Sequence, residues 1–320
     1  GRYVVNTVGK SKIHREHSSH IGKIFVYVIL LLYMLWILMP FLTIIVTSFT
    51  PTQEYVDATS YVWWPSNFSL EGYKRLFFDD PYMVDGIPSL LRGFFNTMWL
   101  TLIPLFSSLF ISLLVAYCYS KWDFPCKNAL FVLTTTCMFI PLGSFGFVSY
   151  MFYQNIGWTE GNSAVLPLLI PGLFGSASTI FFLRPYVDGI SKEIIEAAQI
   201  DRMGFWRIFF TIILPLSKPA LVAQFIFGFV GGYNNYSSAL LYLNNSRENL
   251  WTLQIALQKL IAYLSGSVDY NFLCATALMA MLPLIVVYLV CQKFFTEGIT
   301  FGGGKEELFI LSNSERRGYK

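Results

Sequence analysis

The chain has 320 residues, of which 55% are hydrophobic and 13% are charged. Soluble domains contain roughly 25% charged residues, so this composition excludes an ordinary soluble protein and indicates a membrane protein. The formal net charge is +3, and the uneven placement of Lys and Arg along the chain explains it without a nucleic-acid partner.

Six segments are long and apolar enough to cross a bilayer, which requires about 20 mainly apolar residues. The sequence therefore predicts an all-α membrane protein with six transmembrane helices in one domain, 23–295. A cytoplasmic arm (1–22) precedes this domain, a tail (296–320) follows it, and its two longest loops are 49–90 and 185–218. The predicted spans are 23–48, 91–118, 128–153, 164–184, 219–242 and 273–295.

Lysine and arginine favour one side of these spans, and cytoplasmic loops carry the excess of such residues in membrane proteins. Loop 49–90 is rich in acids and loop 154–163 has neither Lys nor Arg, so both are predicted to be external and both termini cytoplasmic. The first span is too long for a cleaved signal peptide. The basic residues of the cytoplasmic side are Arg2, Lys10, Lys12, Arg15, Lys23, Lys121, Lys127, Arg184, Lys192, Arg202, Arg207 and Lys218.

Neither the cysteines nor the histidines have the pattern of a metal site. The five cysteines lie in or near spans without CxxC spacing, and we interpret them as small apolar residues. His17 and His20 are three residues apart and could bind a metal on a helix, but a solvated basic arm is the simpler interpretation. We therefore expect no metal and no disulfide.

No predicted span contains Asp or Glu. Transporters driven by protons or sodium commonly place ionisable groups near the bilayer midplane, so secondary transport and channel function are disfavoured. A membrane enzyme acting on a lipid-linked sugar is also disfavoured, because no catalytic set is visible. The tail Gly298–Lys305 is rich in glycine, but Glu306 stands where a phosphate-binding loop has Ser or Thr. The chain is not expected to be an enzyme, and a partner must supply the energy for transport.

The loop 185–218 is predicted to be a polar helix-turn-helix between two apolar spans. Pro185 is predicted to mark the exit from the fourth span, because proline disfavours helix at the residue before it. Ser191 can cap a first helix that runs to about Ile200. A second helix, about 205–213, leads to Leu214 and Pro215.

This loop resembles the EAA loop of ATP-binding-cassette (ABC) importer permeases. The matching features are Glu196-Ala197-Ala198, Asp201 three residues later, and the Ile-x-Leu-Pro run that ends at Leu214-Pro215. The resemblance implies a type I importer permease fold whose first loop helix sits in a cleft of a separate ATPase subunit. That subunit would carry ATP and magnesium, with no cofactor in this chain. The implied docking residues are Glu196, Ala197, Ala198, Asp201, Arg202, Gly204, Leu214 and Pro215.

The elbow of the loop departs from the family pattern. The family usually has glycine directly after the aspartate, whereas this chain has Arg202 there and Gly204 two residues later. Two alternatives follow: either Arg202 adopts the positive φ that glycine prefers, or the turn shifts towards Gly204.

A second resemblance, to the smaller permease of maltose-type carbohydrate importers, covers about two thirds of the chain. It includes the segment 233–236 and the glycine-rich tail, and Asn235 stands where the family commonly has an acid. Asn234, Asn235 and Tyr236 are the predicted substrate path, because amides and aromatic rings suit a sugar. On a helix the two asparagines would point about 100° apart, so Asn235 is expected on the path and Asn234 against a helix. The alternative is that these residues join helices, with Gly228, Gly231 and Gly232 allowing close approach.

The resemblance also implies the surroundings of the chain. The partners would be a second permease subunit, two ATPase subunits, an external solute-binding protein and a carbohydrate substrate, in a bacterial cytoplasmic membrane. The second permease is expected to be non-identical, with a homodimer as the alternative. A permease for another solute is the alternative function.

Overall fold

The computed structural model describes residues 20–57, 62–140, 145–244, 248–264 and 269–292. Within these ranges the regular structure is helical, apart from one isolated bridge between Val84 and Ile87. The predictions for most of the N-terminal arm and for the tail, including His17 and the run Gly298–Lys305, lie outside the described residues.

The first half of the chain contains two long apolar helices, α1 and α4, joined by a loop that contains two short helices. A pair of shorter helices, α5 and α6, follows. The bounds are α1 His20–Ser48, α2 Thr52–Asp57, α3 Glu71–Phe78, α4 Ser89–Lys121, α5 Lys127–Cys137 and α6 Gly146–Asn155.

The second half alternates short helices with longer ones. Tight 3₁₀ turns lie at Gly161–Val165, Pro171–Leu173 and Glu248–Leu250, and a wider π turn lies at Phe209–Ile213. The α-helices are α7 Leu166–Leu169, α8 Ala177–Asp188, α9 Lys192–Ile200, α10 Phe205–Ile208, α11 Leu214–Leu216, α12 Lys218–Tyr233, α13 Ser237–Leu243, α14 Leu253–Leu264 and α15 Tyr270–Gln292.

Four helical stretches are long and apolar enough to cross a membrane, within the described residues: 22–48, 89–121, 161–188 and 270–292. A fifth is counted if Phe205–Leu216 and Lys218–Tyr233, which are bent by 72° at their junction, form one span. These agree with the first, second, fourth and sixth predicted spans. The third and fifth predicted spans differ from the structure.

The predicted span 128–153 is not one helix. Helix α5 ends at Cys137 and α6 begins at Gly146, and neither is long enough to cross a bilayer alone. The intervening sequence includes Pro141 and Gly143, which lower helix propensity far more than the apolar residues around them raise it. The hydropathy pattern missed this interruption because both residues lie in an otherwise apolar run.

Helix α4 is the centre of the fold and packs against α8, α12 and α14. Glycines permit the close contacts: a β-carbon on Gly232 would lie 2.5 Å from Thr101 Cγ2, and one on Gly228 would overlap the Leu105 side chain. Among the described residues, a β-carbon on Gly231 would meet nothing within 4 Å, so the predicted share of Gly231 in this contact is wrong. The spacing of Gly228 and Gly232 is the small-xxx-small pattern of membrane helix pairs.

Helix α1 contacts the rest of the chain at its C-terminal end. Its side chains from 23 to 42 are exposed all round, as suits an apolar helix in lipid or against another subunit. The amide of Asn271 donates to the carbonyl oxygens of Ser48 (2.9 Å) and Thr50 (2.8 Å), just past the end of α1. Arg75 and Asp269 form an ion pair beside this contact and tie α3 to the start of α15.

Candidate functional site

The candidate site has two parts: the loop between α8 and α12, and the polar break between α12 and α13. The loop begins later than predicted, since α8 continues through Pro185 to Asp188. The prediction that Pro185 ends the span is wrong because Leu183 and Val187 are fully buried and hold the last turn in place. The Lys121 ammonium donates to the carbonyl oxygens of Asp188 (3.2 Å) and Ile190 (2.6 Å), which closes the end of α8.

Helix α9 starts at its predicted cap. The Ser191 hydroxyl oxygen accepts a hydrogen bond from the backbone N–H of Glu193 at 3.2 Å, and the hydroxyl donates to the Glu193 carboxylate at 2.9 Å. Both interactions satisfy the positive end of the helix. The predicted helix from Ser191 to Ile200 is confirmed.

One face of α9 is buried in a core cluster that also contains residues of α4 and α8. Ile195 is 6% exposed and Ala198 is 5% exposed. A helix of nine residues is marginal alone, so this packing stabilises it and fixes it to the membrane helices. The other members of the cluster are Leu113, Ala116, Tyr117, Leu183, Val187, Ile190, Ile208, Phe209, Ile213 and Ala220.

The opposite face of α9 is open, and we call it the coupling face. It consists of Glu193, Glu196, Ala197, Ile200 and Asp201, all exposed. Ile200 is 82% exposed, which is unusual for an isoleucine beside so large a core. The coupling face thus combines carboxylates with small and branched apolar side chains on a braced helix. Such a surface suits a protein partner.

The turn between α9 and α10 shows which of the two candidate residues adopts the positive φ. Arg202 has φ 56°, whereas Gly204 has φ −74° and ψ 169°, an extended conformation that any residue can adopt. The N–H of Arg202 bonds to the Gln199 oxygen and the N–H of Met203 to the Ala198 oxygen, both at 2.9 Å. This is the paired pattern that closes a helix with a left-handed residue, and arginine there costs about 1 kcal/mol relative to glycine.

The second limb of the loop runs from Phe205 to Leu216. Its middle turn is widened, with the N–H of Leu214 bonded to the Phe209 oxygen, five residues back. Pro215 lacks an N–H and its ring crowds the preceding turn, which is a sufficient cause for the widening. The predicted second helix, about 205–213, is confirmed, and α11 continues it through Leu214 and Pro215 to Leu216.

Aromatic contacts join this limb to the end of α4. The Phe205 ring lies 5.0 Å from the Tyr117 ring and 5.3 Å from the Trp122 ring, measured between centroids. The loop and the α4 end are therefore one packed unit. The composition of the loop did not reveal Lys121, Tyr117 or Trp122 as its supports, because all three come from a different part of the chain.

The polar break lies where a continuous fifth span, 219–242, was predicted. Helix α12 ends at Tyr233, and Asn234, Asn235 and Tyr236 form a short non-helical link to α13. The prediction that the two asparagines point about 100° apart on a helix is therefore wrong. Asn234 is exposed and its amide donates to the Val230 oxygen at 3.0 Å, so it does not pack against another helix of the described chain.

The Asn235 side chain has a local role and a place at a cavity. Its amide oxygen accepts from the backbone N–H of Ser238 at 3.2 Å and so caps α13. Asn235 also lines a cavity of about 60 Å³ together with Tyr233 and three threonines, Thr97 and Thr101 of α4 and Thr252, which directly precedes α14. Tyr236 is half-buried. The threonines were not predicted, although Thr97 and Thr101, four residues apart, lie on one face of α4.

The buried Tyr233 fixes the position of the break. Its hydroxyl donates to the Ala280 oxygen on α15 at 2.6 Å, and its carbonyl oxygen accepts from the Gln254 amide on α14 at 3.4 Å. The end of α12 is thereby bonded to two other helices. No cluster of metal-ligating side chains occurs in the ranges described above.

The known proteins that are similar to this chain are components of transport systems. The model of the family described as "binding-protein-dependent transport system inner membrane component" matches residues 108–300. The chain is 27% identical over 267 residues to the arabinooligosaccharides transport system permease protein AraQ of Halalkalibacterium halodurans, covering 83% of this chain and 90% of that protein. It is 28% identical over 295 residues to the polygalacturonan/rhamnogalacturonan transport system permease protein YtcP of Bacillus subtilis (88% and 96%).

A further relative is named for a different kind of solute, and a solved structure shows the fold. The sn-glycerol-3-phosphate transport system permease protein UgpE of Brucella abortus is 28% identical over 287 residues, covering 89% of this chain and 97% of that protein. A chain from the crystal structure of a bacterial ABC transporter involved in the import of the acidic polysaccharide alginate superposes with a TM-score of 0.74 at 23% identity (87% and 98%). At that identity the superposition establishes the fold.

Proposed function

Because this chain belongs to the family of binding-protein-dependent transport system inner membrane components, we propose that it is the permease subunit of an ABC importer for carbohydrate. One observation carries the proposal: α9 is capped and braced on one side and presents an exposed coupling face on the other. A helix with this support can transmit the movement of an attached ATPase to α4, α8 and α12.

The proposed partners follow from this arrangement. Two ATPase subunits bind ATP and magnesium, and one of them receives the coupling face of this chain in its cleft. A second permease subunit, non-identical in the proposal, completes the solute path, and an external binding protein delivers the solute. The exposed apolar surface of α1 and α4 is consistent with an additional membrane subunit, since one such chain cannot enclose a path.

The proposed topology has six passages with both termini in the cytoplasm of a bacterium. Helices α5 and α6 together form the third passage, and α12 with α13 forms the fifth. Interrupted helices are tolerated at membrane depth where the non-helical backbone is buried in protein or lines a cavity. The break at Asn234–Tyr236 fits that condition because Asn235 lines the cavity that also contains Thr97, Thr101 and Thr252, which we call the threonine cavity.

Carbohydrate is favoured as the solute over an anion. The side chains lining the threonine cavity are neutral hydroxyls, an amide and apolar groups. These groups can exchange hydrogen bonds with sugar hydroxyls and supply no fixed positive charge for a phosphate. A permease for another solute, such as the glycerol phosphate of the UgpE relative, is the second candidate.

The test is transport by the reconstituted complex. The chain is purified with its second permease and ATPase, placed in vesicles with ATP inside, and supplied with the binding protein and a labelled solute. We expect uptake that requires ATP hydrolysis, persists with a protonophore, and is stronger for a neutral oligosaccharide than for glycerol 3-phosphate. Gradient-driven uptake by this chain alone would overturn the importer function, and preference for the phosphate would overturn the solute class.

A further inference from the structure

Arg202 has a backbone conformation that suits glycine better than arginine. Its φ of 56° is fixed by the two hydrogen bonds that close α9. A β-carbon in this conformation costs free energy that glycine avoids. Residues held in such conformations cluster at functional sites, so the outlier is a reason to look for a function of the side chain.

The Arg202 side chain is exposed and has no hydrogen bond or ion pair within the part of the chain that the structure describes. The negative end of the α9 dipole attracts a cation at this position, but solvent and salt screen that attraction at an exposed site. Nothing described in the chain therefore offsets the backbone cost.

We infer that the Arg202 guanidinium binds a carboxylate of the ATPase subunit at the rim of its cleft. This inference rests on the proposed function, because it assumes that the coupling face docks there. The forked guanidinium binds a carboxylate through two parallel hydrogen bonds, which an ammonium cannot reproduce. Asp201, directly before Arg202, and Glu196 on the coupling face carry the opposite charge, so a surface complementary to all three alternates in sign, and such alternation fixes the register of two proteins.

The experiment measures the affinity of the ATPase for the full permease complex at several salt concentrations. Arg202→Gln removes the charge and keeps the backbone cost, whereas Arg202→Gly removes both. Arg202→Lys keeps the charge without the fork. Arg207→Gln is the matched control, because Arg207 is also exposed, lies on the same loop and carries the same charge. Equal recovery of monodisperse complex verifies that each variant folds.

We expect the glutamine and glycine variants to bind the ATPase about tenfold more weakly at low salt and to show a flatter salt dependence. The lysine variant should fall between them and wild type, and the Arg207 control should bind as wild type does. Glycine binding as tightly as wild type, or the control losing as much as Arg202→Gln, would overturn the inference. If wild type itself retains no ATPase, the proposed function fails too, whereas retention by all variants alike removes this inference alone.

Discussion

The coupling loop and the polar break both interrupt the helices of this chain, yet they are held in opposite ways. Ile195 and Ala198 join α9 to a core cluster that also includes parts of α4 and α8. The break begins directly after the buried Tyr233, which is bonded to α14 and α15, but its own link is held by backbone turns and two asparagine amides, and both asparagines are exposed. Regions with few buried contacts open at lower free energy than packed ones. The loop is therefore built to move as a unit with the bundle, and the break is built to adjust locally.

We expect the largest effect on uptake and on ATPase copurification from reversing the charge at Glu196. An unchanged result would contradict the comparison between the loop and the break. Glu196 is exposed and makes no ion pair in the described chain, so Glu196→Lys should leave α9 folded. Loss of a charged contact at an interface costs about 2–5 kcal/mol of binding. Uptake should fall to background and the ATPase should no longer copurify, as measured by vesicle transport and pull-down.

The control for this variant is Glu160→Lys, which reverses an exposed charge in the loop predicted to be external. It should retain the ATPase and insert into the membrane in equal amount. Normal uptake and copurification by Glu196→Lys would remove α9 from the docking surface, and the loop would then be only a well-packed connection.

Two glycine substitutions on α12 test how tightly the helix that leads into the break is packed against α4. Gly232→Ala would place a β-carbon 2.5 Å from Thr101 Cγ2, and overpacking of this kind costs about 1–3 kcal/mol. Gly231→Ala meets nothing within 4 Å and should stabilise the helix by about 0.5–1 kcal/mol. Thermal unfolding of the purified complex should therefore shift in opposite directions for these neighbours. Equal shifts would mean that α12 and α4 separate more easily than their packing indicates.

The two regions also differ in how well the sequence predicts them. The two helices within the loop are predicted correctly because their signals are local: Ser191 caps α9, and the Leu214-Pro215 run lies in the last turn of the second limb. The choice between Arg202 and Gly204 was left open, since hydrogen bonds to Ala198 and Gln199 decide it and either residue satisfies the local rules.

The break was missed because the prediction relied on hydropathy. The apolar run around residues 219–242 outweighed the weaker signals of Gly231-Gly232 and the two asparagines, which favour helix ends. Partners distant in the chain, such as Ala280 for Tyr233 and Thr101 for Gly232, have no local signal at all. At Pro185 the error is the opposite. Proline predicts that the helix ends there, but the burial of Leu183 and Val187 keeps α8 helical to Asp188.

Substitutions of Asn235 should have the smallest effect, and they separate its two roles. Asn235→Leu removes the cap of α13, which costs about 1 kcal/mol, and also removes the amide beside the threonine cavity. Asn235→Ser retains a capping oxygen but lacks the amide. If the amide lies on the solute path, the serine variant should unfold at the wild-type temperature and still transport several-fold more slowly.

The neighbouring Asn234→Leu provides the control, because the Asn234 amide bonds only to Val230 within the part of the chain that is described. Its stability and uptake should stay closer to wild type than those of Asn235→Leu. Normal uptake by Asn235→Ser would leave Asn235 as a cap alone, and the path would then have to run along the threonines of α4. In that case the break would serve to bend the chain between α12 and α13, because the only contribution of Asn235 would be to accept the hydrogen bond from the Ser238 N–H.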